Sequence, residues 1–404
     1  MKSKTKYNLP EKIIYCSRCV MTNQRPSSLP EYLHKPSREG AHYLNMEKDS
    51  KGNYICDACK VQEKKDKIDW KLRERELLKL LNKHRSKNGE YDCIVPGSGG
   101  KDSIYASHIL KYKYGMNPLT VTWAPIMYTD YGYQNFKNWI ELGGFDNISF
   151  NQNGRIKRLL TKLSLENLLH PFQPFVLGQK SIGPKIALKY KIPLVFYGES
   201  EAEHGNPIKE FSSKRDTYFY SYKKIQNLYL AGIPVKKLMK DYNVKMGDLD
   251  SYLPLKHQDL KKNKIEVHYL GYYMKWIPQE IYYYAVEHAK FKPRPFRTQG
   301  TYQKYAGIDD KVDDLHYYTT YIKFGYGRAS FDAAQEIRNK HLSREEGIRL
   351  IKRFDGEYPD KYINEILKYL DITEEKFNKL CDKFRPPHIW RKTSNGWALK
   401  KPIY

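Results

Sequence analysis

The sequence predicts an α/β protein built on a doubly wound parallel sheet, with a small cysteine-bearing module ahead of it and a mainly helical region behind. Three observations predict it. Short apolar runs alternate with segments of helical period between residues 91 and 198, the pattern of strand–helix–strand units. A glycine turn, Gly97–Gly100, stands where the first apolar run gives way to the first helix. Four of the six cysteines fall in two CxxC knuckles before residue 60, a spacing that suits one metal ion better than disulfides.

Residues 1–65 are rich in proline and loop-forming residues, and they hold the knuckles Cys16-Ser17-Arg18-Cys19 and Cys56-Asp57-Ala58-Cys59. Four thiolates in this pattern make a closed tetrahedral site for Zn²⁺, and an iron–sulfur cluster is the alternative ligand of the same four. The 36 residues between the knuckles are long for a zinc ribbon, so the module is expected to dock substrate or a partner as well. Between Asp66 and Ser86, Trp70, Leu77, Leu78 and Leu81 fall on one helical stripe. The run YDCIVP then reads as a strand, DSIYASHILKYKYG as a helix closed by Gly115, LTVTW (119–123) as a second strand, and Tyr133–Leu142 as a helix. NISF reads as a third strand, and PLVFYG (193–198) as another after a helix ending near Tyr190. Residues 66–206 are the expected sheet domain, with ligands beyond the carboxyl ends of the strands. Residues 207–404 change texture. The segments QEIYYYAVEHAKF, SREEGIRLIKRF, DKYINEILKYL and TEEKFNKLCDKF predict a mainly helical substrate or partner domain, and RPPHIWRKTSNGWALKKPIY is expected to be a surface-packed tail.

The 404 residues are enough for two or three domains. No apolar run reaches the length of about 18 residues that spans a bilayer, and MKSKTKYNLPEK lacks the apolar centre of a signal peptide, so the chain reads as cytoplasmic. A net charge of +25, from 71 Lys and Arg against 46 Asp and Glu, favours a polyanionic partner such as tRNA or an anionic membrane surface, and would also suit a nucleotide or nucleotide-sugar substrate. Lysines scattered over solvated faces account for it equally well.

The sharpest motif is Pro96-Gly97-Ser98-Gly99-Gly100-Lys101-Asp102-Ser103. Glycines let the backbone close on a phosphate, and the free amides of the following helix point at it. It is not a Walker A loop, because Lys101 is followed by Asp102 rather than Ser or Thr. It matches the SGGxDS signature of the PP-loop pyrophosphatases, which split ATP into AMP and pyrophosphate. By that resemblance the fold is of the PP-loop, adenine nucleotide alpha hydrolase-like type. Ser98, Gly99, Gly100 and Ser103 would hold pyrophosphate, and Asp102 would orient the loop or help bind Mg²⁺. A second constellation, Tyr197-Gly198-Glu199-Ser200-Glu201-Ala202-Glu203-His204-Gly205, follows a predicted buried strand. Its carboxylates can take Mg²⁺ or orient an acceptor. Lys101, Asp102, Glu199 and Glu203 are the expected catalytic residues, with His204 ahead of His316 as a proton acceptor. Further on, Arg328 is a candidate anion clamp, and Asp310 or Asp314 a metal ligand. Cys93 and Cys381 fall in apolar segments and read as buried thiols rather than nucleophiles.

CSRCVMTNQRPS, CDACK, CIVPGSGGKDS and YGESEAEHG, in this order, resemble the N-acetyl sugar amidotransferases, PP-loop ligases of O-antigen, lipopolysaccharide and flagellar-glycan synthesis. The resemblance implies that ATP adenylates the acetamido oxygen of a nucleotide-linked sugar and that ammonia replaces it, giving an acetamidino sugar, AMP and pyrophosphate. It also implies that a separate glutaminase and a subunit resembling the cyclase of histidine synthesis supply the ammonia. The rival expectation is a PP-loop tRNA-modifying enzyme, a thiolase or a lysidine-type ligase. The charge favours it, and the lack of a second cysteine pair opposes the thiolase.

Overall fold

A computed structural model of the chain describes residues 5–27, 29–199, 201–206 and 212–404; Ser200 of the acidic segment and the residues next to the boundary expected at 206/207 lie outside that range. The N-terminal module is a winding chain of short turns closed by an antiparallel hairpin, β1 (Met46–Lys48) and β2 (Tyr54–Cys56), which runs into helix α1 (Asp57–Lys65). The second knuckle therefore straddles a strand end and a helix start. Helix α2 (Trp70–His84) is capped by Asp69, whose carboxylate accepts from the amides of Lys71 at 3.0 Å and Leu72 at 3.1 Å, which satisfies two of the donors every helix start leaves unpaired. Leu77 and Leu81 are fully buried, but Leu78, expected on the same stripe, is 39 % exposed. One residue is a 100° turn of a helix, and that carries Leu78 off the buried face.

Five parallel strands form the central sheet: β3 (Cys93–Pro96), β4 (Pro118–Trp123), β5 (Asn147–Phe150), β6 (Leu194–Tyr197) and β7 (Glu266–Tyr269). Their order is β7-β6-β3-β4-β5. Alternate side chains of β3 serve opposite faces. Cys93 and Val95 join Leu77, Leu81 and Ala106 of α2 and α3 (Lys101–His108), while Ile94 joins Leu177 and Ile182 of α6 (Gln173–Tyr190) together with residues of α5 (Gly154–Leu168). This is the two-sided burial that makes parallel strands read as continuous apolar runs. The connections turn right-hand neighbours off β3 and a left-hand neighbour off β6, so the switch point lies between these two strands, at their carboxyl ends.

The fifth strand comes from residues 266–269, beyond the segment in which the sequence reading put the sheet. Its polar residues hid it: Glu266 and His268 hydrogen-bond each other at 3.0 Å on the edge of the sheet. Four short helices, Val235–Asp241, Met246–Leu249, His257–Lys262 and Leu270–Tyr273, flank the fifth strand, and the longer helices of the C-terminal region are α7 (Pro278–Ala289), α8 (Val312–Phe324), α9 (Arg328–Arg338), α10 (Arg344–Phe354), α11 (Ile363–Leu370) and α12 (Glu374–Phe384). The closing segment is not an irregular tail. Trp390–Thr393 and Gly396–Leu399 pair as an antiparallel hairpin, turned by Ser394-Asn395-Gly396 with Gly396 at φ 107°, and Trp390 is buried with its indole N–H on the Ile322 carbonyl at 2.8 Å. No helix among the described residues is long and apolar enough to cross a membrane.

Candidate functional site

The loop between β3 and α3 is shaped by two glycines that nothing else could replace. A Cβ on Gly97 would lie 2.1 Å from the Ser103 Cβ, and one on Gly99, at φ 83°, would lie 2.6 Å from the Phe136 Cα. The left-handed backbone at Gly99 folds the chain back beneath the start of α3, as only glycine does without strain. The Ser103 hydroxyl donates to the Gly100 carbonyl at 3.0 Å. Behind it, Trp139 of α4 (Asp130–Glu141) donates from its indole to Ser107 at 2.8 Å, and Ser107 donates to the Ser103 carbonyl at 2.7 Å. The loop is therefore braced from its buried side, and the unpaired amides at the start of α3 are left facing outward. Lys101 reaches both carboxylate oxygens of Asp102 at 2.8 Å.

Those amides face a cavity of about 270 Å³. Ser98, Gly100, Lys101 and Asp102 line one wall; Tyr305, Asp309, Asp313, Tyr317, Arg328 and Asp332 line much of the other. Asp313 and Tyr317 are four residues apart on α8, as are Arg328 and Asp332 on α9, so each helix shows the cavity one face. Arg328 donates to Asp332 at 2.8 Å, and Asp332 accepts from Thr301 at 2.6 Å. Burial raises the Asp332 carboxyl against the pull of Arg328. Burial, then the neighbouring Asp309 and Asp310, push Asp313 well above the carboxylate range. Four carboxylates, Asp102, Asp309, Asp313 and Asp332, line the same cavity as two cations, Lys101 and Arg328. Among the described residues their oxygens do not converge into a preformed cluster as the four cysteine sulfurs do, so a hard divalent cation would need phosphate oxygens to complete its shell.

Asp310 and Asp314, the acids favoured from the sequence, face the other way. Asp310 is buried and accepts from the backbone amides of Met127 at 3.2 Å and Val312 at 3.0 Å, and burial lifts its carboxyl to about 7. Asp314 pairs with Arg294 at 3.3 Å, both fully buried, and Arg294 also donates to the Gly307 carbonyl. These two acids build the wall, and Asp309 and Asp313 line it. The helical register of the DDKVDD run is the signal that would have separated them.

The acidic segment after β6 divides in the same manner. Glu199 accepts from Gln335, a cavity residue, at 2.8 Å and meets His204 Nε2 at 3.1 Å. Against the upward push of burial, His204 and then Lys101 hold its carboxyl down to about 2. Glu203 is engaged elsewhere. It forms a buried pair with Lys65 of α1 at 2.6 Å, and the same ammonium donates to the Trp276 carbonyl at 2.8 Å. That pair fastens the N-terminal module to the sheet. His316 lies apart from His204, its ring stacked on His170 at 4.8 Å between centroids.

In the N-terminal module the sulfurs of Cys16, Cys19, Cys56 and Cys59 are buried and all lie within 4.8 Å of one another. Cys16 and Cys59 are 3.8 Å apart, and Cys19 and Cys56 are 3.7 Å apart. Four convergent thiols with this spacing can hold a metal. Cys93 and Cys381 are buried in β3 and α12, and neither lines the cavity.

Residues 299–403 match the family model described as LPS biosynthesis protein WbpG-like, C-terminal domain. The chain thus carries a WbpG-like C-terminal domain, and this domain includes Arg328, Asp332 and the cavity face of α8. The match falls where the family resemblance drew none of its motifs and supports that resemblance independently. An uncharacterized protein of Methanocaldococcus jannaschii is 37 % identical over 70 residues, which is 17 % of this chain and 25 % of that one; the chain spans about a quarter of the length of this curated relative. Among solved structures, the U34-tRNA thiolase NcsA from Methanococcus maripaludis with its [4Fe-4S] cluster overlaps 78 % of this chain and 88 % of its own at 12 % identity and a TM-score of 0.30. NMN synthetase from Francisella tularensis overlaps 49 % and 85 % at 14 % identity and a TM-score of 0.26. Overlaps this loose carry no weight beside the strand order and loop geometry.

Proposed function

We propose that the chain is an ATP-dependent, AMP-forming ligase of lipopolysaccharide or related glycan synthesis, converting an acetamido group on a nucleotide-linked sugar into an acetamidino group. The observation that carries this reading is the shared cavity: a PP-loop sequence forms one wall, and residues of the WbpG-like domain form the other. In the proposed reaction the acetamido oxygen attacks the α-phosphorus of ATP, the bond to the β-phosphate breaks, and pyrophosphate leaves. Ammonia then adds to the activated carbon, the C–O bond breaks, and AMP departs with the former amide oxygen. One of the three ammonia protons is given up to base as the adduct collapses, and the product leaves as an amidinium with two protons on the new nitrogen and one on the old.

Ser98, Gly99, Gly100 and Ser103 would receive the pyrophosphate through backbone amides and hydroxyls, which stabilise charge as it develops on the leaving group. Lys101 and Arg328 would neutralise phosphate oxygens, and Asp102 with Asp309 and Asp313 would hold Mg²⁺, which supplies Lewis-acid polarisation of the phosphates. Glu199, ionised and tied to His204, would orient the acceptor end. Glu203 has a supporting part through Lys65. For the four cysteines we propose zinc. Thiolates about 2.3 Å from one tetrahedral ion stand about 3.8 Å apart, as Cys16 with Cys59 and Cys19 with Cys56 do. Ammonia would come from a separate glutaminase through a cyclase-like subunit, in the cytoplasm. The net charge of +25 favours the tRNA-modifying alternative, but the thiolase version lacks a cysteine at the cavity.

The test supplies the protein with Mg²⁺-ATP and excess ammonium, and either UDP- or CMP-linked acetamido sugars or bulk tRNA, and measures AMP. Sugar-dependent AMP release is expected. Release with tRNA alone would overturn the assignment.

A further inference from the structure

A second cavity, of about 290 Å³, lies where the N-terminal module meets α6 and α8. It adjoins the first: Gln179 and Tyr317 line the loop cavity, and their chain neighbours Lys180 and His316 line this one. Three cations on its wall are more than nine-tenths buried: Arg25 at 8 % exposure, Arg38 at 6 % and Lys323 at 3 %. Among the described residues none of the three has a carboxylate within ion-pair distance. The two carboxylates at the cavity are already engaged by other cations. Glu31 and Glu201 meet Lys180 at 3.1 and 3.5 Å, and Glu201 also meets Arg215 at 3.0 Å.

The partners the three cations do have are neutral. Arg25 donates to the His204 carbonyl at 2.6 Å, Lys323 donates to the Leu168 carbonyl at 2.6 Å and lies 4.8 Å from the Tyr7 ring, and Arg38 Nε has no acceptor. Burial, then Arg38 and Lys6, press the Lys323 ammonium well below its ordinary range. Buried charge is costly unless an opposite charge or full hydrogen bonding offsets it. Three such cations facing one hollow are arranged for an anion that arrives from solution, and guanidinium forks suit phosphate oxygens in particular.

We propose that this cavity is a second ligand site, distinct from the glycine loop, that takes a phosphoryl anion held by Arg25, Arg38 and Lys323. The anion is either free phosphate or the diphosphate of a nucleotide. The site stands on its own geometry and does not depend on the sugar reaction.

Calorimetric titration of the full-length protein with inorganic phosphate and, separately, UDP tests it, using Lys323→Met, Arg38→Gln and the loop variant Ser103→Ala. Binding should persist in S103A and weaken at least tenfold in K323M and R38Q. Comparable affinity for both probes identifies a free-phosphate site, and a tenfold preference for UDP identifies a nucleotide site. Thermal melts separate a binding role from a folding role. K323M should melt no lower than the parent without anion and should lose the rise that anion gives the parent. Unchanged anion binding in K323M and R38Q, binding lost in S103A but kept in K323M, or no binding of either probe would overturn the proposal.

Discussion

The loop wall of the first cavity, Gly97–Ser103, and the facing wall, Tyr305–Gln335, reach the same space by different means. The loop wall is backbone. Its amides are aimed by two glycines whose Cβ positions are already occupied by other atoms. The facing wall is side chain, presented by two helices and kept in place by acids that never touch the cavity, Asp310 on the Met127 amide and Asp314 on Arg294. A backbone wall is fixed by a short contiguous string. A side-chain wall depends on helical register and on a buried ion pair behind it, and so it fails in different ways.

The largest expected effect is on the support of the facing wall. Asp314→Ala leaves Arg294 as an uncompensated buried charge and should lower unfolding free energy by about 3–5 kcal/mol, read by denaturant titration. The same substitution at Asp313, which lines the cavity, should cost far less stability and more activity. Next comes the loop. Gly99→Ala forces a Cβ against the Phe136 backbone at φ 83° and should lower AMP formation by about 10²- to 10³-fold, the range seen when preorganised donors are displaced. If G99A retains full turnover, the backbone wall is not what receives the phosphates.

A smaller effect concerns pH. Burial and then Arg328 hold His316 at about 4, below its unfolded value of 6.5. The unfolded state then binds more protons between these values, so the contribution is intact above about 6.5 and is lost as pH falls toward 4. At pH 5 this amounts to about 2 kcal/mol. His316→Phe should therefore show a flatter fall in stability from pH 7 to pH 5 than the parent, and parallel curves would contradict the account. The smallest effect is at Arg328. Lysine there keeps the charge but loses the fork that meets Asp332, so KM for ATP should rise about tenfold, worth about 1.4 kcal/mol. Little change in melting temperature is expected.

The same contrast explains what could be read from the chain alone. The glycine loop, the four central strands and the two cysteine knuckles were legible because each is a contiguous pattern with a local physical cause. The fifth strand was not, since Glu266 and His268 on an edge break the apolar run that marks the buried strands. Asp309 and Asp313 were missed in favour of Asp310 and Asp314 because an acidic run shows that charge is present but not which residues face the cavity. Glu199 and Glu203 looked equivalent until Lys65, from 138 residues away in the sequence, was found on the second of them. Arg38 and Lys323 carried no signal, and Arg25 only its place in the CSRCVMTNQRPS string, for cations scattered along the chain look like surface charge until the fold buries them together.

The central claim is that AMP leaves with the oxygen of the acetamido group. It is tested most directly by labelling that oxygen with a heavy isotope in the sugar nucleotide that supports AMP release, and by following the label by mass spectrometry. The account predicts one labelled oxygen in AMP, none in pyrophosphate, and a product in which NH stands where the label was. Unlabelled AMP, with the label still on the sugar, would contradict it.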